Sequence, residues 1–231
     1  MTTQVRITAP ERLSPRTVAQ MESLYRRYYT GAEPDAFRRD LSRKDLVILL
    51  LNGESVAGFS TQKLTAMPDG ARILFSGDTV VDASDRRQFG LAGAFGHIML
   101  RLIRTCPDTP RYWFLISKGA RTYRFLPTFF RAYVPSHASD PDLLRVRDAV
   151  AAHLFPREWM ASKGILHFPG SKDRLISDEL RNDAESVLFR RLNPGWSDGD
   201  ELCCLAPISP ENLNERAARV IRAVEPEWDI P

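Results

Sequence analysis

The sequence has few cysteines and no long apolar run, and each shortage excludes a class of protein. Three cysteines among 231 residues, two of them adjacent at Cys203 and Cys204, cannot build the paired disulfide framework of a small secreted domain. The longest apolar run, at 46–51, has the length of a strand and is far shorter than a membrane-spanning helix. The first residues, MTTQVRITAPERLS, lack the apolar core of a secretory signal. We therefore expect a cytoplasmic protein with no membrane contact.

Histidine is also scarce. His97, His137, His153 and His167 are scattered along the chain without the spacing of metal ligands, so core or surface roles are favoured and no metal is expected. The stretch FPGSKDR, at 168–174, lacks the residue spacing of a phosphate-binding loop. The sequence therefore offers neither a metal site nor a nucleotide loop of a standard kind.

Lysine supplies only five of the 32 basic residues, and arginine is concentrated in one segment. Positions 86–131 hold nine basic residues and a single acid, Asp108, although the whole chain has a net charge of only +3. A local excess of this size favours an anionic ligand or an acidic partner surface, or it reflects a general preference for arginine. Nucleic-acid binding is disfavoured because the sequence contains no helix-turn-helix or RNA-binding motif.

Apolar spacing and turn signals predict the order of helices and strands in the first 135 residues. Ser14 and Pro15 mark the start of a helix, and Asn52-Gly53 marks a hairpin turn. In chain order we predict helices at 15–29 and 35–41, strands at 46–51, 55–65 and 71–81, a helix at 90–104, a strand at 111–117 and a helix at 120–133. Pro127 lies inside the last of these helices, which is expected either to kink there or to begin there.

These elements predict an α/β (α+β) protein with a mixed, mostly antiparallel central sheet flanked by helices. Beyond position 135 we predict helices at 140–155, 177–192 and 209–224, with short strands at 164–168 and 201–208. We expect this part to complete and cover the same sheet. The chain is thus predicted to be a single domain, 1–231, with a core at 13–135 and an elaboration at 136–231.

The junction between the third predicted strand and the following helix carries a recognisable motif. Its residues Arg87-Gln88-Phe89-Gly90-Leu91-Ala92 match the pattern Gln/Arg-x-x-Gly-x-Gly/Ala. Together with the order of elements, this motif resembles the turn from the fourth strand into the third helix of the GNAT acyltransferase superfamily. In that family the turn holds the pyrophosphate of coenzyme A. Gly90 and the unpaired N–H groups of a helix start suit such a role.

The resemblance implies a splayed gap between the fourth and fifth strands of the family, which admits the pantetheine arm of the cofactor. The acyl donor is then acyl-CoA, acetyl-CoA or longer, or the acyl-phosphopantetheine of an acyl carrier protein. The residues that we expect to contact it are Val80, Val81, Asp82, Arg86, Arg87, Gln88, Phe89, Gly90, Leu91, Ala92, Gly93, Ser117, Arg121 and Arg124. Arg121 and Arg124 could equally contact a carrier protein or lie on a solvated helix face.

Acyl transfer to an amine needs a base and an acid. The resemblance implies a carboxylate on the fourth strand, which points to Asp78, and Ser76, two residues earlier, is expected on the same strand face. It also implies an acidic tyrosine in the fourth helix, but the usual Gly-Phe that follows it is missing here. Tyr123 is preferred over Tyr133, with a packed core aromatic as the alternative for Tyr123. Asp78 could instead order a bulge at Gly77 or pair with an arginine.

We therefore predict an N-acyltransferase whose acceptor is an amine of a small molecule or a protein. The alternative is a non-catalytic protein of the same fold that binds an acyl-thioester. The absence of a tyrosine at the position that the resemblance implies favours this alternative. Several aromatic residues near the predicted cleft hint at a donor or acceptor bulkier than acetyl: Tyr112, Trp113, Phe125, Phe129 and Phe130.

Overall fold

A computed structural model describes residues 3–30, 35–82, 90–168, 172–173 and 182–230. Eleven strands lie within these ranges: β1 (Gln4–Thr8), β2 (Tyr29–Thr30), β3 (Leu46–Asn52), β4 (Ser55–Ala66), β5 (Arg72–Val81), β6 (Arg111–Ser117), β7 (Trp159–Met160), β8 (Ile165–His167), β9 (Lys172–Asp173), β10 (Asp200–Pro207) and β11 (Glu227–Asp229).

Nine of these strands form one mixed sheet in the order β11–β1–β3–β4–β5–β6–β10–β8–β7. The pairs β1–β11 and β5–β6 are parallel and the other neighbours are antiparallel. The remaining two strands, β2 and β9, pair with each other. The sheet is therefore mixed and mostly antiparallel, as the sequence predicted.

The described helices cover both faces of the sheet: α1 (Pro15–Tyr28), α2 (Ala36–Leu41), α3 (Gly90–Thr105), α4 (Ala120–Tyr123), α5 (Phe125–Phe129), α6 (Pro141–Leu154), α7 (Ala184–Leu192) and α8 (Glu215–Ala223), with single 3-10 turns at Pro10–Arg12 and Trp196–Asp198. Met21 of α1 and Phe37 of α2 are buried against alternate residues of β3 and β4. The opposite face buries Phe95 of α3 and Val220 of α8. No helix among the described residues is long and apolar enough to cross a membrane.

Local signals placed the first helix and hairpin correctly. Ser14 Oγ accepts the N–H of Thr17 at 3.1 Å at the start of α1, which confirms the predicted cap. Asn52 pairs with Ser55 across the β3–β4 turn, and Gly53 in that turn has a φ of 61°, which favours glycine. The strand predicted at 111–117 matches β6 in full.

The predicted helix at 120–133 is wrong in its extent, because the chain forms two short helices there. Helix α4 ends at Tyr123, and the proline at position 127 has no N–H with which to bond to the Tyr123 carbonyl. After α5 the chain leaves the helical path, where the N–H of Arg131 bonds to the Asn212 carbonyl at 2.9 Å. The backbone of 130–133 thus follows a tertiary contact.

Strands β1, β2, β7, β9 and β11 were not predicted, and two predicted helix starts were wrong. Strands β1 and β11 have only five and three residues, so neither carries a strong local signal. They pair in parallel although more than 200 residues separate them. Helix α8 begins at Glu215 instead of near position 209, because the Asn214 side chain caps it by accepting the N–H of Ala217 at 3.0 Å. Helix α7 begins at Ala184, later than expected, because the Asp183 carboxylate caps it by accepting the N–H of Ser186. Positions 177–181 of that predicted helix lie outside the described residues.

Helix α8 packs so closely on α3 that two glycines of α3 have no room for a side chain. A Cβ atom at Gly93 would lie 2.4 Å from Val224, and one at Gly96 would lie 2.2 Å from Ile221. His97, next to Gly96 in the chain, brings its Nε2 to 2.7 Å from the Val224 carbonyl and 3.1 Å from that of Ile221. The last turn of α8 is therefore fixed to the middle of α3.

We predict that Gly96→Ala lowers the free energy of unfolding by about 1–3 kcal/mol, because the new methyl group overlaps the Ile221 side chain. Chemical denaturation checks this. In the Ile221→Ala background the overlapping atoms are gone, so the cost of Gly96→Ala should shrink. An equal cost in both backgrounds would show that the α3–α8 contact is not the cause.

Candidate functional site

Strands β5 and β6 separate partway along the sheet. Their parallel pairing runs from Arg72 opposite Arg111 to Ser76 opposite Leu115. Beyond this point β5 stays paired with β4 as far as Val81, whereas Ser117 of β6 pairs with Leu202 of β10. The two strands thus form a fork, which opens just past Ser76. The predicted mixed, mostly antiparallel sheet and the predicted gap between two neighbouring strands are both confirmed, and the strands that separate are β5 and β6.

A β-bulge lies at the opening of the fork. Ser60 of β4 pairs with Thr79, but Gln62, two residues on, pairs with Ser76, so β5 holds one extra residue at Gly77–Asp78. An extra residue reverses the alternation of side chains beyond it. The expectation that Ser76 and Asp78 share a face is therefore wrong: the hydrogen bonds described next place Ser76 and Thr79 on one face.

A chain of buried hydrogen bonds joins β6, β5 and β4 beside the fork. Trp113 Nε1 donates to Ser76 Oγ at 2.7 Å, and Ser76 Oγ donates to Gln62 Oε1 at 2.7 Å. Gln62 Nε2 donates to Ser60 Oγ at 2.8 Å, which lies 2.6 Å from Thr79 Oγ1. The hydroxyl of Ser76 is thus fully engaged, so its predicted catalytic role is replaced by a structural one at the base of the fork.

Removing this hydroxyl should be costly. Ser76→Ala leaves Trp113 Nε1 and Gln62 Oε1 buried without their partner, and we predict a loss of about 1–3 kcal/mol in the free energy of unfolding. Urea denaturation measures it. The control is Ser42→Ala, which removes an exposed hydroxyl that bonds to the Arg39 carbonyl and should change stability by less than about 0.5 kcal/mol. Equal stability of both variants would contradict this role for the network.

The other side of the fork gathers ionisable groups from five parts of the chain around Asp78. They are Tyr25 of α1, Asp40 of α2, Lys44, which follows α2, Lys118, which follows β6, and Glu201 of β10. Lys44 Nζ lies 3.0 Å from Asp40 Oδ2, and Lys118 Nζ lies 3.7 Å from Glu201 Oε1. Both lysine side chains are almost completely buried.

The surroundings of Asp78 change its acidity. Burial, followed by the negative charge of Asp40, raises the pKa of Asp78 to about 7, against the opposing charge of Lys44; Glu201 raises it further and Lys118 lowers it. Burial, and next the charge of Asp78, also raises the pKa of the Tyr25 hydroxyl. A carboxylate with a pKa near neutrality is suited to accept a proton from a reacting group.

The raised pKa of Asp78 predicts how stability depends on pH. Between about pH 4 and 7 the folded carboxyl holds a proton that the unfolded one has lost, so this group costs stability as the pH rises through that interval. An asparagine at this position would not titrate. We predict that the free energy of unfolding of Asp78→Asn, relative to the unchanged protein, rises from about pH 4 to pH 8 by at most about 4 kcal/mol. Urea denaturation at both pH values tests this, and a difference independent of pH would contradict it.

The residues predicted to contact the cofactor meet different surroundings. Val80 is buried on the face of the sheet that α1 and α2 cover, and Val81 packs on the opposite face, which α3 covers. The N–H of Asp82 donates to the Ala57 carbonyl at 2.8 Å, and its carboxylate lies 3.0 Å from Arg27 Nη1. Arg86, Arg87, Gln88 and Phe89 lie outside the described residues.

The other half of the motif forms the first turn of α3. Gly90 is buried beneath Leu50, whose Cδ2 would lie 2.8 Å from an added Cβ, and Leu91 is part of the core. Ala92 is partly exposed and Gly93 is covered by Val224. The glycine at position 90 is thus required by packing against β3, and this reason does not depend on a ligand.

Four predicted residues lie at or beyond the end of β6: Ser117, Arg121, Tyr123 and Arg124. Tyr123 is fully buried, and its hydroxyl donates to the Pro135 carbonyl at 2.9 Å, so the structure gives it the core role that was its alternative. Arg124 Nη1 lies 3.5 Å from Asp183 Oδ2, at the cap of α7, and Arg121 is exposed. Ser117 Oγ is buried without a nitrogen or oxygen partner among the described residues, although the Cys204 thiol lies near it.

A small apolar cavity of about 20 Å³ lies between α3, α5, α8 and β6. Trp113, Phe125, Phe129 and Phe130 line it, with Ala92, Phe95, Gly96, Met99, Leu213, Ala217, Val220 and Ile221. Four of the five aromatic residues singled out in the sequence thus meet here, whereas Tyr112 packs on the opposite face of the sheet.

Three of the four described histidines contact separate partners. His97 contacts the end of α8, His167 Nδ1 lies 2.6 Å from Asp200 Oδ1, and His137 Nε2 lies 3.6 Å from Glu185 Oε1. Within the described ranges, no group of three or more histidine, cysteine, aspartate or glutamate residues is placed to hold a metal ion.

The sequence could not have revealed most of the ionisable cluster. Only Asp78 was predicted, because it lies just before the recognisable motif. Tyr25, Asp40, Lys44, Lys118 and Glu201 span more than 170 positions, and each has an ordinary local context. One weak signal was available: Lys44 and Lys118 are two of only five lysines in an arginine-rich chain.

Comparison with known proteins finds distant likenesses of structure. No family model matches the sequence, and no curated protein matches it. A probable N-acyltransferase from Enterococcus faecalis aligns at a TM-score of 0.42 and 15% identity, over 58% of this chain and 33% of that protein. The GNAT family N-acetyltransferase YhbS from Escherichia coli, in complex with CoA, aligns at 0.39 and 17%, over 55% and 68%. Arabidopsis thaliana NAA60, in complex with acetyl-CoA, aligns at 0.40 and 14%, over 54% and 83%.

Proposed function

We propose that this protein is an N-acyltransferase that moves an acyl group from a phosphopantetheine thioester, such as acyl-CoA, to an amine. The observation that carries the proposal is the fork between β5 and β6, with Asp78 on a bulge at its opening. A parallel pair that ends within a sheet leaves strand edges that can pair with the amide groups of an extended ligand. The buried Ser117 Oγ, at the end of β6, offers a polar contact to such a ligand.

The site residues then divide the chemistry. The amine nitrogen attacks the thioester carbonyl, the C–S bond breaks, and the sulfur leaves as a thiolate. Asp78, whose pKa is raised to about 7, takes the proton that the amine loses. The first turn of α3, with the arginines that precede it, would hold the phosphate groups of the donor. Lys118 and Glu201, near the end of β6, would line the path of the acceptor amine.

A second candidate is a binding protein of the same fold that holds the thioester without turnover. It is favoured by one observation, the burial of Tyr123, which removes the hydroxyl expected to protonate the leaving thiolate. Water would have to supply this proton in an active enzyme. The two candidates make the same binding prediction and differ only in the release of free thiol.

Binding is tested first. We expect CoA to bind in isothermal titration calorimetry and to raise the melting temperature in proportion to the logarithm of its concentration above Kd. The probes are CoA, acetyl-CoA, an acyl-CoA of about eight carbons and an acylated carrier protein, since all four present the same arm. Binding of none of them would overturn both candidates.

Turnover is tested with a thiol reagent and a panel of polyamines, amino acid amides and lysine peptides. We expect kcat/KM to rise with pH through about pH 7, as Asp78 loses its proton. Asp78→Asn should lower kcat by about 10²- to 10⁴-fold with little change in CoA affinity. Asp108→Asn, which changes an exposed carboxylate before β6, serves as the control and should retain full activity. Binding without thiol release from any amine would favour the binding protein.

A further inference from the structure

Neighbouring groups fill the space that a side chain at the bulge residue Gly77 would occupy. A Cβ atom at Gly77 would lie 2.8 Å from Thr61 Oγ1 and 2.9 Å from Lys44 Nζ. A lysine from the segment between α2 and β3 therefore reaches the bulge of β5 and places its ammonium group against the backbone next to Asp78. The Lys44 ammonium group thus occupies part of the space that a side chain at position 77 would need.

Lys44 is held in this place by three contacts. Its side chain is only 7% exposed, and its Nζ lies 3.0 Å from Asp40 Oδ2. The same atom lies against Gly77 and 5.2 Å from the centre of the Phe75 ring, a cation–π contact with the residue two before Gly77. A buried ammonium group is costly unless it is paired, and among the described residues the carboxylate within 4 Å of Lys44 Nζ is that of the half-exposed Asp40.

We propose that Lys44 is a positioning residue for Asp78: held by Asp40 in the space beside Gly77, its ammonium group favours the ionised carboxylate at the opening of the fork. This inference rests on the proposed function for its purpose, although the electrostatic effect stands without it. Lys44 acts through Asp78, so it needs no contact with the substrate. Asp40 limits the effect because its own charge opposes ionisation of Asp78.

The charged and titratable groups that act on Asp78 come from every element around it. Asp40 and Glu201 disfavour its ionised form, whereas Lys44 and Lys118 favour it. Tyr25, from α1, stays neutral because burial and the carboxylates of the cluster raise the pKa of its hydroxyl. Of the two lysines, Lys44 has the stronger effect on Asp78 and is the one seated at the bulge itself.

The proposal predicts opposite effects for the two members of the ion pair. Lys44→Met keeps the apolar stem and removes the positive charge, so the pKa of Asp78 should rise by about 1 unit; Asp40→Asn should lower it. Carbon-13 NMR of protein labelled at the aspartate carboxyl carbons follows the titration, and Asp78→Asn assigns the signal by its loss. A disruption of structure alone would move both variants in one direction, towards an ordinary carboxyl pKa.

The matched control is Lys63→Met. Lys63 Nζ also lies 3.0 Å from an aspartate, Asp45, but it is far more exposed and does not touch Gly77, so the Asp78 titration should not change. A fall of the Asp78 pKa in Lys44→Met, or an unchanged value, would overturn the proposal. If Lys44→Met does not fold, Lys44→Gln takes its place, because it keeps an N–H donor for Asp40 and removes the charge; a fall of the Asp78 pKa or an unchanged value there would overturn the proposal.

The NMR titration does not depend on turnover, so it separates this proposal from the proposed function. If the protein is an acyltransferase, the pH at which kcat/KM reaches half its limit should move in the same direction as the Asp78 pKa in each variant. Titrations that shift as expected, with no thiol release at any pH, would support the role of Lys44 and reject catalysis.

Discussion

The early end of the β5–β6 pairing is the constraint on which the rest of the site depends. Two parallel strands that share five residue pairs and then separate must each find another partner, and they do so with β4 and β10. Because β5 has an extra residue at Gly77–Asp78, the segment after this bulge can turn away from β6 and still pair with β4. The same bulge redirects Asp78 from the α3 face towards the α1–α2 face.

Because of this geometry, the two faces of the sheet at the fork carry different polar groups: neutral hydrogen-bonded side chains on one face and charged side chains on the other. On the α3 face, the hydrogen-bonded chain from Trp113 through Ser76 to Gln62 satisfies every polar group that it contains, so it fixes the strands without offering a reactive atom. On the other face, the ammonium groups of Lys44 and Lys118 are almost completely buried, whereas the Asp40 carboxylate is 45% exposed. Two lysines pair with Asp40 and Glu201, and Asp78 is left with a pKa near neutrality.

Several predictions from the sequence were confirmed because they rest on local signals. The cap at Ser14, the Asn52-Gly53 turn and the apolar spacing of α3 each concern residues within a few positions of one another. The break of the helix predicted at 120–133 after Tyr123 is local and is set by Pro127. The early end of that helix and the shared face of Ser76 and Asp78 were wrong for a common reason. Asn212 draws the chain away after α5, and the pairing with β4 forces the bulge, so a distant segment decides in both cases.

The sequence by itself determined the order of most elements, the motif at the start of α3 and one carboxylate before it, because these depend on neighbouring residues. Only the tertiary structure decided that Tyr123 is a core residue, that Ser76 is engaged, and that Lys44 and Asp40 lie beside Asp78. A pKa and the direction of a side chain depend on charges and packing contributed by distant segments. Spacing along a chain does not contain that information until the sheet brings those segments together.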